Sequence, residues 1–377
     1  MLILAAVLAI FVYGMIAAML GTILPDLSRR FNLTPSQNGT IALAQALGLI
    51  LASLLTGPLL DTQGEKIGLV LGLALIVIAL FSLPRVKGFA TILVLLLLLG
   101  AGGGIVVTGA NALVSAVSSD HRATALNLVN LFFGLGGFAT PFLSANLFSR
   151  NWVRLCYAVA SLTSIALLVQ VIPAMPKPSG QGGFPMAQVG PILGNPLLYL
   201  LGLFLFLYIS CEVGVWNWLP RHLIARGVPQ EKALNILSLG FALGMLVGRM
   251  VVSPVLMRVP AVTVILAASV AMAFTTFFML RASRPATAFA VVFLAGVSMA
   301  PVFPTVLAIA GSAFPVLGAT AMGVVITCGW IGLAVSSRII GAVAGEKPER
   351  LGKALLLIPA SSVLMIFLSF GIASALR

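Results

Sequence analysis

Charge is what this sequence has least of. Only 8% of its 377 residues are Asp, Glu, Lys or Arg, against roughly a quarter in an ordinary soluble domain. So few charges cannot cover a water-soluble surface of this size, which excludes a soluble enzyme and a disordered chain. Acids are scarcest, eight in all, and the resulting formal charge of +13 raises nucleic acid as a partner. The 21 Lys and Arg residues form no basic stripe, though; they stand singly or in pairs between long apolar runs. Anionic lipid headgroups are the expected neighbours, and nucleic acid is not. Cysteine is nearly missing. Cys156, Cys211 and Cys328 lie far apart inside apolar runs and fit no metal spacing, so they read as buried small hydrophobes. The two histidines, His121 and His222, sit at segment ends, one in each half. No metal, cofactor or enzyme activity is expected. A G-x-x-x-x-G-K-[ST] loop is absent, which excludes an ATP-driven pump. No basic region precedes the apolar stretch from Met1 to about Leu24, so that stretch is expected to span and stay.

What the chain has instead is length of apolar run. Sixty per cent of it is apolar, and its mean hydropathy is +1.17. A membrane-spanning helix needs about 20 mainly apolar residues. Twelve segments qualify: 2–24, 39–60, 67–84, 89–117, 123–148, 152–173, 195–219, 231–257, 260–280, 286–309, 313–340 and 353–375. They are continuous rather than alternating, which excludes a β-barrel. Residues 174–194, with Pro176, Lys177, Pro178 and five glycines, read as a flexible cytoplasmic linker. The expected fold is an all-α membrane protein, with twelve transmembrane helices in two six-helix pseudo-symmetric bundles over 1–173 and 195–377. A loose internal repeat supports this division. Gly57-Pro58-Leu59-Leu60 recurs 196 residues later as Ser253-Pro254-Val255-Leu256, and the same offset pairs Gly100 with Gly296. Such a repeat is the trace of two bundles that rock about a central site. Small residues crowd spans 4 and 5 (Gly100, Gly102, Gly103, Gly104, Gly109; Gly134, Gly136, Gly137) and allow close helix approach in lipid. Pro141, Pro301 and Pro304 fall inside spans, where they can kink a helix.

Charge at membrane depth is costly, so each instance is a functional candidate. Glu212, Arg249 and Arg338 qualify; Asp26, Asp61, Asp120, Glu65, Glu231, Glu346 and Glu349 fall at span ends or in loops. Glu212 lies near mid-depth in span 7, and Trp216, four residues on, shares its helix face. An acid beside an indole suits a sugar: one strong acceptor and one flat apolar platform. The competing assignment puts Trp216 and Trp218 in the interfacial aromatic belt. Arg249 and Arg338 either snorkel to the interface or serve as gate pairs. Gln45, Asn111, Asn127, Asn130 and Asn217 offer donors and acceptors for a neutral hydroxylated ligand, or hydrogen bonds between helices. Tyr13 and Trp330 could stack on a ligand or simply pack.

Several stretches resemble one family. Gly57 to Lys66 is similar to the loop between spans 2 and 3 of the major facilitator superfamily, G-x-x-x-D-R-x-G-R-R: Gly57, Asp61, Gly64 and Lys66 match, while Thr62 and Glu65 replace arginines. Arg122 to Gly137 with Pro141, Glu212 to Pro220, Pro301 to Thr305, and Gly100 to Asn111 resemble spans 5, 7, 10 and 4 of its fucose permease-like sugar porters. The resemblance implies the major facilitator fold and a secondary active or facilitative transporter of a small hydroxylated solute, a monosaccharide first of all, by alternating access. The alternative is a proton-coupled exporter of amphipathic compounds; it lacks support in span 5, where Gly137 is followed by Phe138 rather than proline. The solute would meet Glu212, Asn111, Asn130, Trp216, Asn217, Gln45, Tyr13 and Trp330, with Glu212 also the coupling group. Asp61, Gly64, Arg249 and Arg338 would gate the change of conformation. The proton-coupled fucose permeases use acids in spans 1 and 4. The corresponding positions here are Gly21 and Val107, which cannot titrate. Uniport, or coupling to a proton or Na⁺ through Glu212, remains. The family orientation puts both termini in the cytoplasm of a bacterial-type inner membrane. The positive-inside count opposes it, with five basic residues on the cytoplasmic side against fourteen outside. A monomer surrounded by lipid is expected.

Overall fold

A computed structural model describes residues 1–149, 151–173, 185–344 and 348–377. Arg150, Lys177 with most of the expected linker, Glu346 and Lys347 lie outside the described residues. The described chain is helical, and twelve of its segments are long and apolar enough to cross a membrane. It is an integral, multi-pass membrane protein. In order the helices are α1 (Leu2–Phe31), α2 (Pro35–Gln63), α3 (Glu65–Ser82), α4 (Phe89–Val117), α5 (Arg122–Asn146), α6 (Trp152–Val171), α7 (Met186–Leu193), α8 (Pro196–Ala225) and α9 (Gln230–Asn235). A π-turn over Ile236–Ala242 leads into α10 (Leu243–Val255). Then follow α11 (Ala261–Arg281), α12 (Pro285–Met299), α13 (Val302–Ala313), α14 (Gly318–Ala344), α15 (Pro348–Ala354) and α16 (Leu357–Ala375).

Local chemistry explains where the elements begin and end. α1 stops at Asn32, which takes the left-handed conformation (φ 50°) that asparagine tolerates best after glycine. Thr34 then opens α2 with a capping box. Its side chain accepts from the Gln37 N–H, and the Gln37 side chain accepts from the Thr34 N–H. Gly64, at φ 83°, makes the tight break between α2 and α3 that a Cβ would strain. Asn151 and Asn195 cap α6 and α8. The tenth span is broken between α12 and α13 at Ala300 and Pro301, as the prolines predict. One expectation needs correction. The stretch 174–194 reads as a flexible linker, but Met186–Leu193 folds as α7.

The chain divides into two compact units. Unit 1 holds 1–120, 129–190 and 314–327; unit 2 holds 121–128, 191–313 and 328–377. The first turns of α14 thus belong with the early helices, and the first turns of α5 with the late ones. Inside each unit the internal repeat becomes a packing seam. In unit 1 a methyl added at Gly48 would fall on the Leu97 carbonyl oxygen, and one at Gly100 on that of Gln45. In unit 2 a methyl at Gly244 would fall on the Phe293 carbonyl, and one at Gly296 on that of Phe241. All four positions of the first seam map 196 residues on to those of the second, and both glycines recur as glycine. Without a hydrophobic drive between helices in lipid, such backbone contact is a main source of helix association.

Candidate functional site

Unit 2 contains a charged cluster at membrane depth. Tyr208, Glu212 and Trp216 stand four residues apart on α8, on one helix face. Glu212 is half-buried. The Arg249 guanidinium of α10 and the Trp216 indole N–H both face it electrostatically. The Tyr208 hydroxyl is wholly buried and interacts with the same carboxylate without closing a tight hydrogen bond. Arg249 is only 4% exposed, and its Nε donates to the Ala300 carbonyl at 3.4 Å. The carbonyl is available because Ala300 sits at the break between α12 and α13. Arg249 therefore does not snorkel; its buried guanidinium faces the Glu212 carboxylate electrostatically. A carboxylate and a guanidinium facing each other at this depth offset part of each other's desolvation. Trp216 is 39% exposed and braced edge-on by Phe241. Asn217, one residue on, is exposed and donates to Ser337 Oγ at 3.4 Å. Trp330 is half-buried, and its Nε1 has no partner. Arg338 is exposed on α14.

Two amides of unit 1 bond to each other. Asn111 is wholly buried; its Nδ2 donates to Val107 O at 2.7 Å, and its Oδ1 accepts from Asn130 Nδ2 at 2.7 Å. Both are thus drawn into pairing α4 with α5. Tyr13 is 5% exposed and stacks on Phe133, with ring centroids 5.3 Å apart. Gln45 keeps a buried Oε1 without a partner beside the seam. In unit 2, Asn127 donates to Thr305 Oγ1 at 3.1 Å.

Asp61 occupies a third place. Its carboxylate accepts from the Ala319 N–H at 3.2 Å, the Thr320 N–H at 2.9 Å and the Thr320 hydroxyl at 2.6 Å. It therefore caps the N-terminus of α14 from the end of α2, inside unit 1, where helix dipole and free N–H groups favour an anion. Close approach makes this reach feasible: a methyl at Gly57 would fall on the Thr320 backbone, and one at Gly323 would lie 2.6 Å from the Ser53 carbonyl oxygen. Lys66 in turn caps the end of α6, donating to the Val171 and Pro173 carbonyls at 2.6 and 3.2 Å. Sequence reasoning missed Tyr208, Phe241 and Thr320. The four-residue step back from Glu212 was the signal for Tyr208.

Comparison with known proteins supplies the family. The profile of the Major Facilitator Superfamily matches residues 6–337. The E. coli fucose:proton symporter FucP has a TM-score of 0.84 at 16% identity, covering 98% of both chains. The proton:xylose symporter XylE has 0.79 at 13% identity, covering 98% of this chain and 94% of that one. The glucose/mannose transporter GlcP of Bacillus subtilis is 24% identical over 314 residues, 80% of this chain and 77% of that protein. The sodium-dependent glucose transporter 1 of Rattus norvegicus is 30% identical over 131 residues, 35% of this chain. That alignment spans only 27% of the rat protein, so the likeness is partial. The match over most of the sequence, on twelve membrane-length helices, places this chain in the Major Facilitator Superfamily.

Proposed function

We propose that the protein is a secondary transporter that moves a small hydroxylated solute, a monosaccharide, by alternating access. One observation carries this reading. Among the described residues, Glu212 is the carboxylate at membrane depth, and it is half-buried rather than sealed, between a guanidinium and an exposed indole. A charged acceptor beside a flat apolar face matches a sugar, whose hydroxyl edge and C–H face need those two partners. The names of GlcP, FucP and XylE support sugar as the class. Tyr208, Trp216 and Asn217 complete the site on α8, with Arg249 setting the charge of Glu212. Asn111 and Asn130 act as helix-pairing residues.

With Gly21 and Val107 unable to titrate, a coupling proton or Na⁺ has Glu212 as its acceptor. The Asp61 cap on α14, with the Gly64 break beside it, serves as a gate contact that breaks and reforms. The protein works as a monomer in a bacterial-type inner membrane with its termini cytoplasmic. A single cysteine at position 177 that labels only from outside would reverse that orientation. Counterflow of labelled glucose into proteoliposomes tests the function. Glu212→Gln should lower uptake about 10- to 100-fold, the weight of a hydrogen bond to a charged group. Unchanged uptake would remove Glu212 from the mechanism.

A further inference from the structure

The eighth span does not run as one α-helix. Between α9 and α10 the backbone winds through the π-turn Ile236–Ala242. A π-turn carries one residue more than the α-turn it replaces, and such turns gather at functional sites. Bonding to i−5 leaves i−4 carbonyls in need of donors. Ser238 supplies one: its hydroxyl donates to the Leu234 carbonyl at 3.0 Å, with the Asn235 carbonyl at 3.5 Å. Hydroxyl back-bonding of this kind bends helices. The repeat provides a control. α2 packs through the same glycine seam, yet it runs unbroken from Pro35 to Gln63. At the position 196 residues before Ser238 it has Ala42, which lacks a hydroxyl.

The π-turn therefore belongs to the second seam alone, and the residue it presents is Phe241. Phe241 is wholly buried, and its ring meets the Trp216 indole at 5.2 Å between centroids and 80° between planes. Trp216 is thereby braced by Phe241, on the helix face it shares with Glu212. Much of the indole stays open.

We propose that the Ser238 π-turn fixes the pose of Trp216 through Phe241, and that the fixed indole selects ring-form sugars over acyclic polyols of the same carbon number. This rests on the hydroxylated-solute reading above. A pyranose is rigid and offers one continuous C–H face to a pre-set aromatic plane. An acyclic polyol has no such face and must freeze its carbon–carbon rotors to bind. Phe241 is a positioning residue: it touches the indole, not the solute.

The test reads Trp216 emission in the full chain with Trp152, Trp218 and Trp330 replaced by Phe, and measures binding and transport in the parent chain, which keeps all four tryptophans. Glucose and sorbitol are compared as ligands, and emission anisotropy is read without solute. Phe241→Leu and deletion of Ser238 should lower the anisotropy and raise the KM for glucose about 2- to 10-fold, the weight of one aromatic pair. Maximal rate should hold within about twofold, because the chemistry at Glu212 is untouched. Ser238→Thr, which keeps the hydroxyl, should behave as the parent. In the parent, glucose should bind more tightly than sorbitol, and the ratio should narrow in Phe241→Leu. Equal binding of both ligands to the parent overturns the selection. Unchanged anisotropy and KM in Phe241→Leu overturn the brace. If the parent binds neither ligand, the solute reading falls with the selection, and the anisotropy still decides the brace.

Discussion

Position 53, beside the α2–α4 seam, carries a serine whose buried hydroxyl has no partner. Position 249, its counterpart 196 residues on, carries an arginine facing a carboxylate. The two seams are built from matching glycines, so the difference is not one of fold. It lies in what each unit holds beside the same scaffold. Unit 1 keeps neutral amides and hydroxyls, some bonded and some unpartnered; unit 2 keeps a carboxylate facing a guanidinium, with an exposed indole beside them. A duplicated scaffold has thus been specialised on one side, which agrees with function residing in a site rather than in a fold.

Substitutions at the paired positions break or sharpen that contrast. Arg249→Ala should cost about 1.5–3 kcal/mol in detergent, because it removes the hydrogen bond of a buried cation to the Ala300 carbonyl and the charge facing Glu212; Ser53→Ala should be nearly silent, since no hydrogen bond is lost. Thermal unfolding of the two variants side by side checks this. Gly100→Ala and Gly296→Ala should each cost about 1–3 kcal/mol, and to a similar degree, because each methyl meets a backbone carbonyl that cannot step aside. Unequal losses would show that the seams are not equivalent. Asp61→Asn should cost about 0.5–2 kcal/mol by weakening the cap on α14, and should shift the open–closed balance seen by cysteine accessibility. Tyr208→Phe should have the smallest effect, under about 1 kcal/mol, since its hydroxyl closes no tight bond.

Most of the architecture was legible in the sequence, because apolar run length reports membrane spans directly. The boundaries 89–117 coincide with α4, and the break in span 10 followed from Pro301. α7 escaped because glycine and proline dominate the stretch around it. The π-turn escaped for a different reason: a one-residue slip leaves hydropathy unchanged, and the Ser238 bond that supports it is local. Glu212 stood out as a lone acid in an apolar run. Its partner did not, since sequence carries no distance between α8 and α10. The Asn111–Asn130 hydrogen bond was not legible for the same reason, since it runs between helices.

The most direct measurement is the affinity of the purified protein for a monosaccharide, read by calorimetry in Glu212→Gln and Asn111→Ala in parallel. The charged cluster of unit 2 as the solute site predicts a loss of about tenfold or more in Glu212→Gln and a change within about twofold in Asn111→Ala, whose amide is already spent inside unit 1. The reverse pattern, with Asn111→Ala abolishing binding and Glu212→Gln sparing it, would contradict the account.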